Sequence, residues 1–98
     1  IMHGLSKAGI IHLTRLTAAE LAPAIRVNAV APGAVLPPQG MSEDSARWRE
    51  LGARVPLRRT GSAEDVAQAV LFLARHDYIT GALIPVDGGE HLIGGKDA

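Results

Sequence analysis

The segment that decides the fold is Ile25-Arg26-Val27-Asn28-Ala29-Val30, followed directly by Ala31-Pro32-Gly33. Apolar side chains alternate with two polar ones along the first six residues, and a period of two is typical of a β-strand. Pro32 has no amide hydrogen to donate, and Gly33 tolerates a positive φ. The sequence therefore predicts a strand over about residues 25–30 that ends at a Pro-Gly bend.

A second apolar run near the C-terminus, Ala82-Leu83-Ile84-Pro85-Val86, predicts another strand. Pro85 cannot donate a ladder hydrogen bond, which favours an edge position in the sheet. The following Asp87-Gly88-Gly89 predicts a tight turn. The tail from Glu90 to Ala98 is expected to be loosely held.

Upstream of the first strand, residues 4–22 predict a helix that ends at Pro23. Its apolar residues recur at spacings of three and four and cover more than one stripe. The large ones are Leu5, Ile10, Leu13, Leu16 and Leu21. Such a helix is expected to be buried on most sides, between a sheet and another subunit or helix.

Two shorter helices are predicted between the strands. Residues 43–54 form the first, with Ser42 as its N-cap. Their few large apolar side chains favour a mobile surface element that suits a lid over a ligand. Residues 63–75 form the second, and Ser62 and Asp65 at its start have the spacing of a capping box.

The predicted order is helix, strand, loop with a short helix, helix, strand. This order predicts an α/β fold with a parallel sheet, in which the helix at 63–75 forms a right-handed crossover. Two parallel strands need cover on both faces, which this chain alone cannot supply. The chain also begins with Ile1 and runs at once into a helix. We therefore expect residues 1–98 to be one partial domain of a longer protein.

The composition narrows the class of protein. The 98 residues carry ten Lys and Arg against ten Asp and Glu, and this formal net charge of +0 gives no electrostatic reason to expect a nucleic-acid or membrane partner. There is no cysteine, which excludes disulfides and thiolate metal sites. No apolar run approaches the roughly 20 residues of a membrane span. We expect a cytoplasmic protein, and the scattered histidines predict no metal site.

Two features of the sequence are candidates for chemistry. His3 and Lys7 are four residues apart, on one face of the first helix, and a lysine ammonium depresses the pKa of a neighbouring proton donor. The same spacing also fits an exposed helix start. The Pro-Gly bend continues into Ala34 and Val35, beyond the carboxyl end of a strand, where open α/β sheets bind ligands. It also fits an ordinary turn.

Taken together, these segments resemble the short-chain dehydrogenase/reductase family. The resemblance spans nearly the whole chain in the right order. It rests on Ser6-Lys7-Ala8-Gly9, Leu13-Thr14, Glu20-Leu21-Ala22, Ile25 to Gly33, Pro56-Leu57-Arg58-Arg59-Thr60-Gly61, Glu64-Asp65-Val66-Ala67, Leu71-Phe72-Leu73, Tyr78-Ile79-Thr80-Gly81 and Val86-Asp87-Gly88-Gly89. Within the family, Val35-Leu36-Pro37-Pro38 and Gly40-Met41 look most like the pteridine-reductase-like branch.

The resemblance implies the C-terminal portion of a Rossmann-type doubly wound parallel sheet that binds NAD or NADP. It implies hydride transfer to or from a C=O or pterin-like C=N bond of a small-molecule substrate, in a homo-oligomer, a dimer or a tetramer. Lys7 matches the family lysine that binds the nicotinamide ribose and lowers the pKa of the catalytic tyrosine. Residues 36–55 correspond to the variable substrate loop. The family's nicotinamide contacts match Pro32, Gly33, Ala34 and Val35.

The chain departs from the family pattern at the catalytic position. His3 stands where the family has its tyrosine. An imidazole can donate a proton, but it reaches less far, and it is mostly deprotonated at physiological pH, where a tyrosine keeps its proton. The family's Gly-rich cofactor loop and catalytic serine have no counterpart in these residues, so the piece alone is expected to be inactive.

This departure leaves two alternatives open. One is a catalytically impaired pseudoenzyme or oligomerisation module, with His3 marking the lost chemistry. The other is a truncated product without a folded function.

Overall fold

A two-stranded parallel sheet lies at the centre of the structure. The computed structural model describes residues 2–35, 37 and 40–93, and for residues 2–6 it describes the backbone alone. In chain order the elements are α1 (Met2–Leu21), β1 (Ala29–Pro32), α2 (Ala46–Ala53), α3 (Ala63–Arg75), β2 (Leu83–Val86) and a 3-10 turn (Glu90–Leu92). Because β1 and β2 pair in parallel with α3 between them in the chain, the predicted α/β class is confirmed.

The ladder between β1 and β2 accommodates two prolines. The amides of Ala29 and Gly33 donate to carbonyls of residues 82 and 86, at 2.9 and 3.1 Å. In this register the odd-numbered residues of β1 and the even-numbered residues of β2 face the partner strand. Pro32 and Pro85 occupy the other positions, where an amide would point away from the ladder. Pro85 therefore disturbs no hydrogen bond of the described ladder, and the edge position predicted for its strand stays a prediction.

The first strand begins and ends later than the sequence predicts, at Ala29–Pro32 instead of 25–30. Just before it, the amide of Val27 donates to the Thr80 hydroxyl at 3.1 Å, and a side chain therefore replaces the strand carbonyl as its partner. The strand continues through the proline because the missing amide faces away from β2. Alternation of residue types identifies extended backbone, but it does not reveal which amides find a carbonyl.

Helix α1 is confirmed, but its predicted burial is not. Among its described side chains only Thr14 and Ala18 are buried. The large apolar residues Ile10, Leu13 and Leu16 are 52%, 64% and 53% exposed. Two strands of four residues offer too little surface to cover a helix of 20 residues. The described residues therefore do not bury this helix on most sides, and the partner surface predicted for it stays a prediction.

Helix α2 is shorter than predicted and has a different N-cap. It covers Ala46–Ala53, and the Ser45 hydroxyl accepts from the Trp48 amide at 3.1 Å. Ser42, the predicted cap, instead accepts from the amide of Asp44 in the preceding turn. The side chain of Trp48 is 6% exposed, so this helix is anchored on its inner face, and the lid motion predicted for it stays a prediction.

Helix α3 is confirmed at both ends, over Ala63–Arg75. The Ser62 hydroxyl accepts from the Asp65 amide, and the Asp65 carboxylate accepts from the Ser62 amide, which completes the predicted capping box. At the other end, the Arg26 guanidinium donates to the carbonyls of residues 73 and 74, at 2.7 and 3.0 Å. A cation on the last free carbonyls complements the helix dipole. Arg26, in the segment that leads into β1, therefore fixes the C-terminal end of α3.

The segment after β2 is more ordered than predicted. Residues Glu90–Leu92 form a 3-10 turn, and the backbone bonds of residues 90, 92 and 93 to carbonyls three positions back support it. The prediction of a loosely held tail is therefore wrong for its first residues, Glu90–Leu92. The prediction for residues 94–98 lies outside the described residues. None of the helices in the described part of the chain is both long and apolar enough to cross a membrane.

Candidate functional site

The carboxyl ends of β1 and β2 lie side by side because the two strands are parallel. Both strands end in glycine-containing loops at this edge, residues 33–35 after β1 and residues 87–89 after β2. Open α/β sheets bind their ligands beyond this edge. The candidate site is therefore built from these two loops and from whatever packs on them.

Three contacts fix the bend after β1, residues Pro32–Val35, which we name the β1 bend. The amide of Gly33 donates to a β2 carbonyl at 3.1 Å, and the carbonyl of Ala34 accepts from the amide of Gly61 at 2.9 Å. A Cβ built on Gly33 would also lie 2.6 Å from the Cβ of Asp87 and 2.9 Å from its Cα. Atoms in packed interiors do not approach so closely, so only glycine fits here. The β1 bend is therefore held from two sides.

A cleft of about 350 Å³ opens between the β1 bend, the connector at residues 55–61 and the turn after β2. A concave surface that combines apolar side chains with a few polar groups is the usual form of a small-molecule site. The lining residues are Ala34, Val35, Val55, Leu57, Arg59, Gly61, Asp65, Pro85, Val86, Asp87, Gly88, Gly89 and His91.

The turn after β2 is organised around the carboxylate of Asp87, whose side chain is only 8% exposed. Its oxygens accept from the amides of Gly89 and His91, at 3.0 and 3.1 Å, and lie 3.0 Å from Nδ1 of the His91 ring. Burial alone would raise the pKa of Asp87, but the hydrogen bonds from the His91 ring and from these two amides outweigh it and hold the pKa below its ordinary value.

A second carboxylate stands at the other wall of the cleft. The Asp65 carboxylate accepts from the Ser62 amide at 2.8 Å and lies 3.2 Å from Nη1 of Arg59. The hydrogen bond from the Ser62 backbone amide lowers the pKa of Asp65. Hydrogen bonds from the Arg59 guanidinium and the Ser62 hydroxyl lower it further. The ion pair is largely exposed, so its main effect is to orient the Arg59 side chain at the cleft.

The structure brings part of the predicted site together. Ala34 and Val35 line the cleft, and Pro32 is exposed at the end of β1. Lys7 is half-buried in α1 and is not among the lining residues given above, so a pocket shared by Lys7 and the β1 bend stays a prediction. His3 lies on the helical backbone of α1, and its side chain is outside the described residues.

Sequence reasoning missed the function of Asn28. We interpreted it only as a polar member of an alternating strand, whereas its Nδ2 donates to the Ile79 carbonyl at 3.0 Å and its Oδ1 accepts from the Ala82 amide at 2.9 Å. One side chain thus joins the start of β1 to the turn before β2. Its signal in the sequence is an amide side chain within the alternating run, because asparagine can both donate to and accept from backbone groups.

Sequence reasoning also missed the pairing of Asp87 with His91. From the sequence we expected Asp87 to lie in a tight turn and His91 to lie in a loosely held tail. The available signal was their spacing of four residues across two glycines, because a compact turn there brings both side chains together.

The β1 bend offers a surface that fits a flat ring. Pro32 exposes its side chain, Ala34 adds only a methyl group, and the backbone between them is fixed by the contacts given above. Ordered backbone with little side-chain bulk suits the planar head group of a nucleotide cofactor. The residues present therefore fit the cofactor that the sequence leads us to expect.

Comparison with known proteins identifies relatives for most of the chain. Residues 2–91 match the family model described as enoyl-(acyl carrier protein) reductase. The 3-oxoacyl-(acyl-carrier-protein) reductase of Thermotoga maritima is 50% identical over an alignment of 90 residues, which covers 86% of this chain and 35% of that protein.

Solved structures agree with this relationship. A small-chain dehydrogenase in complex with NADPH matches with a TM-score of 0.76 and 40% identity, over 87% of this chain and 40% of that one. The alternative dihydrofolate reductase 1 of Brucella canis, complexed with NADP, matches with a TM-score of 0.77 and 36% identity, over 90% of this chain and 34% of that one. The chain thus spans between about a third and two fifths of the length of the relatives it matches.

Proposed function

The chain belongs to the short-chain dehydrogenase/reductase family, and on that premise we propose that its protein is an NAD(P)-dependent oxidoreductase. The single observation that carries this proposal is the β1 bend. It lies at the carboxyl edge of a parallel sheet, and β2 and the connector hold its backbone. Pro32 and Ala34 leave it accessible, as a nicotinamide contact must be.

Each predicted site residue has a role in this proposal. When bound, the nicotinamide supplies or accepts the hydride. The β1 bend would hold the nicotinamide ring, and Lys7 would hold the ribose through hydrogen bonds to its hydroxyls. His3 carries the proton that the substrate oxygen or nitrogen gains or loses. NADP is the cofactor favoured over NAD, since two solved relatives carry NADPH or NADP.

The proposed substrate is a small molecule with a C=O or a pterin-like C=N bond, and residues 36–55 form the loop that selects it. The likeness to a dihydrofolate reductase of Brucella canis supports the pteridine-reductase-like branch. The likeness to a 3-oxoacyl reductase of Thermotoga maritima supports a carbonyl substrate. A cytoplasmic location belongs to the same proposal.

The exposed apolar face of α1 supports the alternative function, an oligomerisation module or impaired enzyme. Leu13 and Leu16 are more than half exposed within the described residues, and an apolar surface of this kind suits burial against a second copy in a dimer or tetramer. In this alternative the protein binds the dinucleotide, forms a stable oligomer in a sedimentation experiment, and shows no turnover.

A turnover assay of the complete protein tests the proposal. We expect oxidation of NADPH or NADH that depends on an added ketone, aldehyde or dihydropterin. His3→Tyr is expected to raise kcat by about tenfold or more, because a well-positioned general acid contributes about 10²–10⁴-fold. Lys7→Met is expected to lower turnover, and Arg15→Met, which removes an exposed cation on the same helix, is the control.

The outcomes of this assay separate the candidates. Cofactor binding without turnover, in both the wild type and His3→Tyr, would favour the oligomerisation module. An absence of both binding and turnover in a folded protein would reject the oxidoreductase.

A further inference from the structure

The turn after β2 is held by several hydrogen bonds to the side chain of Asp87. The Asp87 side chain is nearly buried, and three donors converge on its two oxygens, the amides of Gly89 and His91 and the ring Nδ1 of His91. The His91 side chain is 39% exposed and forms part of the cleft wall. Its Nδ1, 3.0 Å from both carboxylate oxygens, restrains the Asp87 side chain.

Asp87 is at the same time the residue against which the β1 bend rests. The space above the Gly33 Cα is filled by the Cα and Cβ of Asp87, and a Gly33 Cβ would meet them at 2.9 and 2.6 Å. The residue before Asp87 provides the carbonyl that accepts from the Gly33 amide at 3.1 Å. A shift of the Asp87 backbone therefore moves the backbone of Gly33, since there is no gap between them to absorb it.

We propose that Asp87 and His91 are a pair of positioning residues, which act through the contact between Asp87 and Gly33 to fix the β1 bend for the nicotinamide end of a bound dinucleotide. The inference rests on the proposed function. Its physical basis is that removal of the His91 ring leaves the buried Asp87 carboxylate with its backbone donors alone, in a turn free to shift toward solvent. The bend then samples more conformations, and the ring that it holds binds less tightly.

The test compares ligands with and without the nicotinamide, on the complete protein. NADPH and NADH carry it, whereas ADP-ribose and its 2′-phosphate lack it. We expect His91→Ala to weaken NADPH or NADH binding by about three- to tenfold, the equivalent of one typical hydrogen bond, while ADP-ribose affinity is unchanged. His91→Gln, whose amide can still donate to Asp87, is expected to restore most of the loss.

Glu90→Ala is the matched control, because Glu90 is an exposed neighbour in the same 3-10 turn. We expect it to bind all four ligands as the wild type does. Equal affinity of wild type and His91→Ala for NADPH and NADH would overturn the inference. So would a parallel loss of ADP-ribose affinity, because it would indicate general destabilisation. A wild type that binds none of the four ligands would overturn the proposed function itself, and the inference with it.

Discussion

Gly33 has room for a hydrogen atom and nothing larger. The Cα and Cβ atoms of Asp87 occupy the space that a side chain on Gly33 would need. Unlike the end of a flexible side chain, these atoms cannot rotate away. Glycine at this point lets two loops from different strands touch. The sequence indicated a Pro-Gly bend, but the reason for the glycine is a contact with a residue 54 positions later, which no local pattern contains.

Gly33→Ala is therefore expected to be destabilising and to weaken dinucleotide binding. Overpacking of this kind costs about 1–3 kcal/mol, and the displaced bend loses its fit to the ring. Gly9→Ala is the control, since a Cβ there meets nothing within 4 Å and alanine favours a helix over glycine by about 0.5–1 kcal/mol. Thermal unfolding and NADPH titration of both variants measure the difference. Equal stability and affinity of the two would contradict the packing described here.

The Asp87 carboxylate is expected to make stability depend on pH in the acid range. Because hydrogen bonds hold its folded-state pKa below the ordinary value of 3.8, its contribution is present above that value and is lost as the pH falls through the folded-state pKa. Asp87→Asn is expected to be less stable than the wild type by about 1–2 kcal/mol at pH 7.

The difference in unfolding free energy between Asp87→Asn and the wild type should narrow once the pH falls below about 4. Denaturant unfolding of both proteins between pH 3 and pH 7 measures it. A difference that stays constant over this range would show that the charge of Asp87 does not stabilise the fold.

Among the elements, α2 gives the sharpest difference between prediction and structure. Both Ser42 and Ser45 precede a helical sequence, and either can cap it. The structure assigns the cap to Ser45, whose hydroxyl accepts from the Trp48 amide, and this choice brings the Trp48 side chain to its buried position.

Ser45→Ala is expected to destabilise the protein by about 0.5–2 kcal/mol, the usual effect of removing an N-cap. Ser42→Ala removes a serine hydroxyl three residues earlier in the chain. It is expected to lower the stability less, because the hydrogen bond that the Ser42 hydroxyl accepts from the Asp44 amide lies in an exposed turn. Chemical denaturation, with Trp48 fluorescence as the probe, compares them. A loss of stability in Ser42→Ala that equals or exceeds the loss in Ser45→Ala would indicate that Ser42 caps the helix, as the sequence predicted.

The elements show which parts of the fold local sequence could predict. Helix α3 was predicted with both ends, and its start was predictable because the capping box of Ser62 and Asp65 is a local pattern. The first strand and α2 were displaced by a few residues. The start of β1 depends on a partner distant in the chain, the Thr80 hydroxyl, which accepts from the Val27 amide. The start of α2 depends on which of two nearby serines caps the helix. The bend was predicted as a site, whereas Asn28, Asp87 and His91 were not. The role of Asn28 comes from hydrogen bonds to residues 79 and 82, far along the chain. The pairing of Asp87 with His91 is local, and its signal was the spacing of four residues.

At the scale of the whole molecule, the buried core is small and the exposed apolar surface is large. The buried apolar side chains in the described part of the chain are Ala18, Trp48, Val55 and Leu73. Large apolar residues of α1 and α3 remain exposed, among them Leu13, Leu71 and Phe72. Two parallel strands need cover on both faces, so this surface is where further sheet, helix or a second copy would pack.

The central claim is that Lys7 and the β1 bend hold the same nicotinamide. A crystal structure of the complete protein with NADP⁺ tests it most directly, through two distances. Our account predicts the nicotinamide ring in van der Waals contact, within about 4 Å, with backbone of Pro32–Val35, and Lys7 Nζ within about 3.2 Å of a ribose hydroxyl. A dinucleotide bound with its nicotinamide away from the bend, or with Lys7 turned to solvent, would contradict it.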